Sequence, residues 1–249
     1  MTKFFYIINP LSFQFQKDSN LFKKVKSKID NIPEMSGEVH RTFRENDVSN
    51  LIKHAVKNLG VGNNLKIFVF GGNDTVFEAV QTVSIINNPN LSLGIIFTGK
   101  ENQLSRRFGS NLKIFKAIEN IPKMEERKLE VFALNKFAFL DRFSAILTKE
   151  SEIMNDVNIL SHIFVDEKFA VSGILSRLEI ITGDKLKVVF FSRNIEGSVI
   201  SKSVFFGDNI KLKIPKFIPK LIDGSPLKSF DGAEELFIQK TANKIKLLF

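Results

Sequence analysis

Residues 66–80 read KIFVFGGNDTVFEAV, and this stretch decides the fold of the chain. After Lys66 the run is apolar and rich in β-branched and aromatic side chains, which is typical of a buried strand. Gly71 and Gly72 end the run, and the residues after them have the apolar spacing of a helix. A strand, a glycine turn and a helix in succession form the place where α/β proteins bind phosphate groups. Glycine lets the backbone approach an anion, and the start of the helix supplies N–H donors.

Two interpretations of this turn remain open on the residues alone. In the first, the turn binds a phosphate group. In the second, it is only a tight connection whose helix begins with a capping box made by Thr75 and Glu78. A pair of glycines does not distinguish between them.

Strands and helices alternate through the first half of the sequence. The pattern predicts a strand up to residue 8, a helix over 18–29, a strand over 38–42, a helix over 47–59, the central strand, a helix to residue 86, a strand over 91–97 and a helix to residue 108. A second glycine turn, residues 98–102, follows the strand over 91–97. Such alternation predicts a parallel sheet with both glycine turns at the carboxyl edge of its strands.

The pattern changes after Pro122, where strand-like segments follow one another with turn signals between them. They lie at residues 128–134, 137–147, 185–191, 199–206 and 210–214, and a final hairpin is expected over 236–239 and 245–249. Residues 173–180 could be helical. The predicted fold is therefore an α/β N-terminal Rossmann-like domain with a parallel sheet over 1–122, and a mainly antiparallel β-sandwich domain over 123–249.

Composition limits the classes of protein to be considered. The chain has 249 residues, of which 43% are hydrophobic, enough for a buried core. Its net charge of +9 favours anionic partners such as nucleotides, nucleic acid or acidic lipid surfaces, and charge alone does not choose among them. It has no cysteine, so a cytoplasmic location is the simplest expectation. No apolar run approaches the roughly 18 residues that span a bilayer, so any membrane contact should be peripheral.

Other site chemistry is sparse in this sequence. His40, His54 and His162 are far apart and lack the spacing of metal ligands. Neither a nucleophile elbow nor a Walker A motif occurs, and the basic residues lack the aromatic interleaving of an RNA-binding motif. We therefore expect no nucleic-acid partner.

Four short blocks, taken in order, resemble the diacylglycerol kinase catalytic family of lipid kinases, which is related more remotely to NAD kinases. Residues 9–12, Asn-Pro-Leu-Ser, are similar to the family's Asn-Pro-x-Ser-Gly, and Thr42 stands where the family has a phosphate-side Thr. Residues 71–78 are similar to Gly-Gly-Asp-Gly-Thr-x-Asn-Glu, and residues 93–102 to a strand and turn that end in Pro-x-Gly-Thr-x-Asn. In the second half, residues 222–226 resemble the family's Asp-Gly-Glu turn.

The resemblance implies ATP and Mg²⁺ as cofactors, with ATP bound between the two domains and its γ-phosphoryl transferred to a lipid hydroxyl. It also implies a set of cofactor-binding residues. They are Asn9, Thr42, Gly71, Gly72, Asn73, Asp74, Thr75, Gly99, Lys100 and Asn102. The metal ligands are not identified by the sequence. The implied partner is a lipid substrate or an acidic membrane surface, approached from the cytoplasm.

The departures from the family pattern fall on the positions that carry the chemistry. In the family the central motif has an Asp that supports the nucleotide and metal, and the Glu of Asp-Gly-Glu accepts the hydroxyl proton. Here Asn73 and Ser225 occupy those positions, and neither accepts a proton near neutral pH. Asp74 could take over the acidic role one position later, or Glu234 or Glu235 could reach the cleft from the next loop. Phe13 replaces a glycine, and Lys100 replaces a nucleotide-contacting Thr.

The resemblance therefore implies a lipid kinase whose activity is weakened by the residues at its catalytic positions. These are Asn73, Asp74 and Ser225. The alternative is a non-catalytic nucleotide- or lipid-binding protein on the same fold. A relative of NAD kinase fits less well, because residues 75–78 and the second glycine turn follow the lipid-kinase pattern more closely.

Overall fold

The computed structural model describes residues 1–44, 46–60, 62–99, 113–146, 160–194, 198–215, 218–226 and 235–248. The chain divides into two compact units. The first is Met1–Glu130 together with Asn243–Phe249, and the second is Val131–Ala242. The first unit thus continues eight residues past the expected boundary at 122. It also includes the C-terminal residues, which were expected in the second domain.

The first unit is built on a parallel sheet. Its strands are β1 (Thr2–Ile8), β2 (Gly37–Arg41), β3 (Asn64–Gly71) and β4 (Leu91–Phe97). They lie side by side in the order β2, β1, β3, β4, and each neighbouring pair is parallel. In this order the carboxyl ends of β1, β3 and β4 meet at one edge of the sheet.

Helices cover both faces of this sheet. They are α1 (Phe13–Lys17), α2 (Leu21–Asp30), α3 (Asp47–Lys57), α4 (Asn73–Ile86) and α5 (Ile114–Asn120), with 3-10 turns at Pro33–Met35 and Ile121–Lys123. On one face, α2 and α5 share a buried cluster with Tyr6 and Phe68. On the other, α3 and α4 contact β1 and β3, where Phe5 and Ile67 are buried. The predicted α/β domain is confirmed. Within the described residues, no helix is both long enough and apolar enough to span a bilayer.

The rest of the described residues lie almost entirely in strands. The strands are β5 (Glu126–Leu134), β6 (Phe137–Phe139), β7 (Arg142–Ile146), β8 (Leu160–Val165), β9 (Lys168–Ile181), β10 (Leu186–Arg193), β11 (Val199–Gly207), β12 (Asn209–Lys213), β13 (Lys220–Ile222), β14 (Ser225–Pro226) and β15 (Glu235–Leu248). Neighbouring strands within the second unit pair in antiparallel fashion, for example β9 with β7, β8 and β10. This confirms the expectation of a mainly antiparallel C-terminal region.

Several local predictions differ from the structure. Residues 173–180 are not helical but belong to β9, because this segment finds strand partners on both sides. The segment predicted over 137–147 is two strands, β6 and β7. Helix α5 was not predicted. The helix predicted to end at residue 108 lies outside the described residues.

The predicted C-terminal hairpin is wrong, because the segment is the single strand β15. Its first part pairs antiparallel with β12, and residues 246–248 pair parallel with β4. Polar residues between the two expected hairpin strands make hydrogen bonds to the main chain. Thr241 Oγ1 donates to the Val131 carbonyl over 2.8 Å, and Asn243 Nδ2 donates to the Ser84 carbonyl over 3.2 Å.

Candidate functional site

The first glycine turn joins β3 to α4 as predicted. Gly71 ends the strand, Gly72 precedes the helix in an extended conformation, and α4 begins at Asn73. A Cβ on Gly71 would lie 2.4 Å from the Thr75 Cβ, so the position has room only for glycine. Because Gly72 has no side chain, it gives no cap to the first-turn amides of α4.

The second glycine turn lies directly against the first. A Cβ on Gly99 would come within 2.8 Å of the Gly72 Cα, and the Thr98 amide donates to the Gly71 carbonyl over 2.9 Å. The two turns therefore meet at the carboxyl edge of β3 and β4, as the sequence predicts. Such an edge is where open α/β sheets bind ligands.

The loop after β1 is tied to both turns. The Asn9 side-chain amide donates to Thr75 Oγ1 over 2.8 Å, and Asn9 Oδ1 accepts from the Leu11 amide over 2.9 Å. The Ser12 hydroxyl donates to the Asn9 carbonyl over 2.9 Å and lies 2.6 Å from the Thr98 hydroxyl. Ser12 and Thr98 are buried. Their contact was not predicted, although both residues lie in blocks that the sequence singled out.

The capping box predicted for Thr75 and Glu78 is not formed. Thr75 is the acceptor for Asn9, and the Glu78 carboxylate accepts the Ser49 amide over 2.7 Å. Ser49 lies in the first turn of α3, so Glu78 caps a neighbouring helix instead of its own. A negative charge near a helix N-terminus is stabilising. This contact holds α3 against α4.

A cavity of about 360 Å³ lies beside the loop after β1. It is lined by Pro10, Leu11, Phe15, Asp18, Ser19, Phe22, Arg41, Thr42 and Phe43. The Arg41 guanidinium carbon lies 4.5 Å from the centre of the Phe22 ring and 5.8 Å from that of Phe43. Thr42, a predicted site residue, is buried, and its amide donates to the Ile8 carbonyl over 3.0 Å. Except for Pro10, Leu11 and Thr42, the cavity residues were not expected from the sequence as part of a site.

The predicted catalytic positions of the first glycine turn, 73 and 74, lie at the start of α4. Asn73 is the first helical residue and is half-buried, whereas Asp74 is exposed. In the described part of the chain, no cluster of three or more His, Cys, Asp or Glu side chains could hold a metal ion. Lys100 and Asn102, also predicted for this site, lie outside the described residues.

The Asp-Gly-Ser turn lies in the second unit, between β13 and β14. Asp223 and Gly224 both have positive φ, of 47° and 83°, as a two-residue hairpin turn requires. The Asp223 carboxylate accepts three backbone N–H groups, from Leu140, Asp141 and Arg142, over 2.8 to 2.9 Å. Burial nevertheless raises the pKa of Asp223 to about 6. Asp223 thus fixes the β6–β7 connection, a role the sequence did not indicate.

Ser225 follows this turn and is only 3% exposed. Its hydroxyl oxygen has no hydrogen-bond partner among the described residues. A buried hydroxyl without a hydrogen-bond partner lowers the stability of the folded chain. Serine is therefore not the most stabilising residue at this position.

The parallel sheet, with its paired glycine turns beside a cavity, defines an α/β protein whose candidate site lies at the carboxyl ends of the strands. The sequence profile of the diacylglycerol kinase catalytic domain matches residues 3–134, more than half of the chain. The chain belongs to this family of kinases. No curated protein matches it.

Solved structures have the same fold. A diacylglycerol kinase from Bacillus anthracis superposes with a TM-score of 0.72 at 16% identity, over 99% of this chain and 96% of that one. A putative diacylglycerol kinase from the same organism gives 0.70 at 15% identity, over 99% and 97%. Yeast NADH kinase in complex with NADH is more distant, at 0.57 and 11% identity, over 99% and 83%. At these identities the likeness concerns the fold alone.

Proposed function

We propose that the chain is an ATP-dependent lipid kinase of reduced turnover, which transfers the γ-phosphoryl group of ATP to a lipid hydroxyl. The observation that carries the proposal is the contact between the two glycine turns. Glycine is needed at 99 for the close approach to Gly72 and at 71 because of the neighbouring Thr75, and the first turn leads directly into a 14-residue helix. Backbone N–H groups at such a position suit a phosphate chain.

The nucleotide would occupy the first unit. The cavity beside Thr42 is apolar on the side of Phe15 and Phe22 and carries the Arg41 guanidinium, a combination that suits a flat aromatic base. The phosphates would then lie along the loop after β1 toward Gly72. Lys100 and Asn102 belong to the same proposed site, since they continue the second glycine turn.

Asp74 is the acidic side chain that this turn offers to a magnesium ion. Mg²⁺ in kinases is held by one or two carboxylates together with the phosphates and water, so a single exposed carboxylate is compatible with a bound ATP–Mg²⁺ complex. The ion would neutralise charge on the transferred phosphoryl group. Asn9 and Thr75 would keep the turn in place during transfer.

Turnover is reduced because two carboxylates are replaced. Asn73 would offer a bound metal only a neutral ligand, and Ser225 cannot remove the proton from the acceptor hydroxyl. Loss of a general base costs roughly 10²–10⁴ in rate. We therefore propose binding of ATP with slow transfer.

The second candidate is a non-catalytic protein that binds the nucleotide or a lipid on the same fold. The observation that favours it is the burial of Ser225, since a residue of this size and exposure offers no proton acceptor to a substrate. Under either candidate, we place the protein in the cytoplasm, in peripheral contact with a membrane.

Two measurements on the same preparation test the proposal. The first is the affinity for ATP with magnesium, by calorimetry. The second is label transfer from radioactive ATP into mixed lipid extracts, compared with Asp74→Asn and with Asp184→Asn as a control at another exposed aspartate. The proposal expects binding, slow label transfer, and loss of transfer only in Asp74→Asn. Binding without transfer supports the non-catalytic candidate, and absence of both contradicts the nucleotide site.

A further inference from the structure

Strand β11 forms an edge of the antiparallel sheet. Among the described residues it pairs with β10 and with no other strand. It nevertheless exposes four large apolar side chains. They are Val199, Ile200, Val204 and Phe206, with exposed fractions of 58, 65, 41 and 61%.

The two faces of β11 differ in their surroundings. On the face that meets the buried side chains of β10, the half-buried Ser203 and Phe205 pair with Phe190 and Val188, and the exposed Ser201 bonds through its hydroxyl to that of buried Ser192. The outward positions are Lys202, Val204 and Phe206. A strand with one face in water normally places its polar residues outward. Large apolar side chains on the outer face of an edge strand mark an interaction surface.

Basic side chains frame the apolar ones. Lys202 pairs with Phe191 and holds its ammonium group 5.6 Å from the centre of that ring, and Lys187 pairs with Phe206. Strands β10 and β11 together contain Lys187, Arg193 and Lys202 and no acidic residue. The charged side chains within the two strands are therefore all basic, whereas the exposed Asp184 and Asp208 lie just beyond the Phe206 end of the hairpin.

We propose that this face of the β10–β11 hairpin docks on an anionic lipid surface. Val204 and Phe206 would enter the boundary between headgroups and acyl chains, and the lysine ammonium groups would stay with the lipid phosphates while their stems pack along the apolar surface. The inference deepens the proposed function and rests on it for the choice of lipid as the partner. Because the unpaired N–H and C=O groups of the edge must remain hydrated, the hairpin lies at headgroup depth and only its side chains reach further.

Pairing with a second copy of β11 explains these features less well. A lysine in the middle of an edge strand opposes strand addition, because its charge must be desolvated against the incoming strand. An antiparallel pair centred on Ser203 would also bring the two Lys202 side chains to diagonal positions on one face. Like charges at cross-strand positions are destabilising.

The test is binding to vesicles without nucleotide, so that a protein with no kinase activity still gives a result. Sedimentation with vesicles of phosphatidylcholine and phosphatidylglycerol is compared between the unmodified chain and the double variant Val204→Thr, Phe206→Thr. Threonine keeps the β-branched shape that strands favour. The matched control is Phe237→Thr, which removes a half-exposed aromatic residue from β15, another strand of the same unit.

The double variant should bind at least about tenfold more weakly, because two apolar side chains no longer leave water. Lys202→Gln should cost about fivefold on the anionic vesicles and little on pure phosphatidylcholine. The control should bind like the unmodified chain. Equal binding by the double variant and the control would overturn the proposal. So would sedimentation of the unmodified chain in solution as a dimer that the double variant dissociates, since a second copy would then be the partner.

Discussion

The side-chain amide of Asn9 donates to the hydroxyl of Thr75 over 2.8 Å, although 66 positions separate the two residues. The bond joins the loop after β1 to the first turn of α4, and so it fixes two of the four blocks on which the family resemblance rests. The side-chain oxygen of Asn9 accepts the Leu11 amide and holds the same loop from the other side. This link is one of the hydrogen bonds that hold the loop after β1 against the candidate phosphate site.

Replacement of Thr75 with valine is expected to weaken both stability and nucleotide binding. Valine keeps the shape but leaves the partly buried Asn9 amide without its acceptor, at a cost of about 1–2 kcal/mol in the free energy of unfolding. Thr75→Ser keeps the hydroxyl and should retain ATP affinity. Urea denaturation and ATP titration measure the two effects. If Thr75→Val and Asn9→Ala proved additive in the double variant, the link would have no energetic role.

The two glycines that touch should respond differently to alanine. A Cβ on Gly99 would lie 2.8 Å from the Gly72 Cα, and a backbone atom cannot yield easily, so Gly99→Ala should lose about 1–3 kcal/mol. A Cβ on Gly72 would lie 3.7 Å from the Gly99 Cα, an ordinary contact, and Gly72 has a φ of −89° that alanine accepts. Thermal unfolding of the two variants measures the difference. Equal losses would show that the two turns do not meet as described.

Local sequence was sufficient to predict the strands and helices that surround this site. Helix α4 ends at Ile86 and β4 spans Leu91–Phe97, as the pattern predicted, because apolar spacing and glycine stops are properties of neighbouring residues. The partners of polar side chains were not predictable in this way. The local pattern assigns Glu78 to its own helix, yet it caps α3 from a distance of 29 positions.

Strand β9 is a second case in which the local sequence pattern did not determine the structure. The sequence allows a helix over 173–180, a range in which the apolar Ile174 and Leu178 have helical spacing. Neighbouring strands on both sides supply the backbone hydrogen bonds, and these tertiary contacts override the local pattern. The exposed apolar face of β11 was likewise visible only once its strand pairing was known.

The buried carboxyl of Asp223 should make stability depend on pH between about 4 and 6. Its pKa in the folded chain is about 6, above the ordinary value of 3.8, so the folded state binds the proton more tightly than the unfolded state does. Stability from this group is therefore present at low pH and decreases as pH rises through that window. The full change is on the order of 3 kcal/mol.

The comparison with Asp223→Asn isolates this effect. The unfolding free energies of the two proteins are measured from pH 4 to 7. The unmodified chain should lose stability relative to the variant as the pH rises, because the variant has no group to titrate at this position. As a control, Asp47→Asn removes a carboxyl whose pKa is lowered, chiefly by a hydrogen bond from the Phe43 amide. The difference in unfolding free energy between Asp47→Asn and the unmodified chain should be constant above about pH 5. A flat difference for Asp223→Asn would contradict the burial argument.

Restoring the family carboxylates should raise the rate of lipid phosphorylation. The variant carries Asn73→Asp and Ser225→Glu, together with Asp74→Gly so that two adjacent carboxylates do not compete for one proton. The gain should exceed the sum of the single changes in free energy, since metal placement and proton removal serve one transition state. Label transfer from radioactive ATP to lipid measures it, and a general base is worth roughly 10²–10⁴ in rate.

The burial of Ser225 makes Ser225→Gln the decisive control for Ser225→Glu. The introduced glutamate must enter a site where serine is 3% exposed, so part of any effect will come from its size and from the desolvation of its charge. Glutamine has the same volume and reach but accepts no proton. Faster transfer in the glutamate variant than in the glutamine variant, at equal ATP affinity, assigns the gain to proton removal. Equal rates in the two variants would mean that the site differs from the active kinases beyond these carboxylates. Substantial transfer by the unmodified chain that disappears in Asp74→Asn would instead show that the acidic role had moved by one residue.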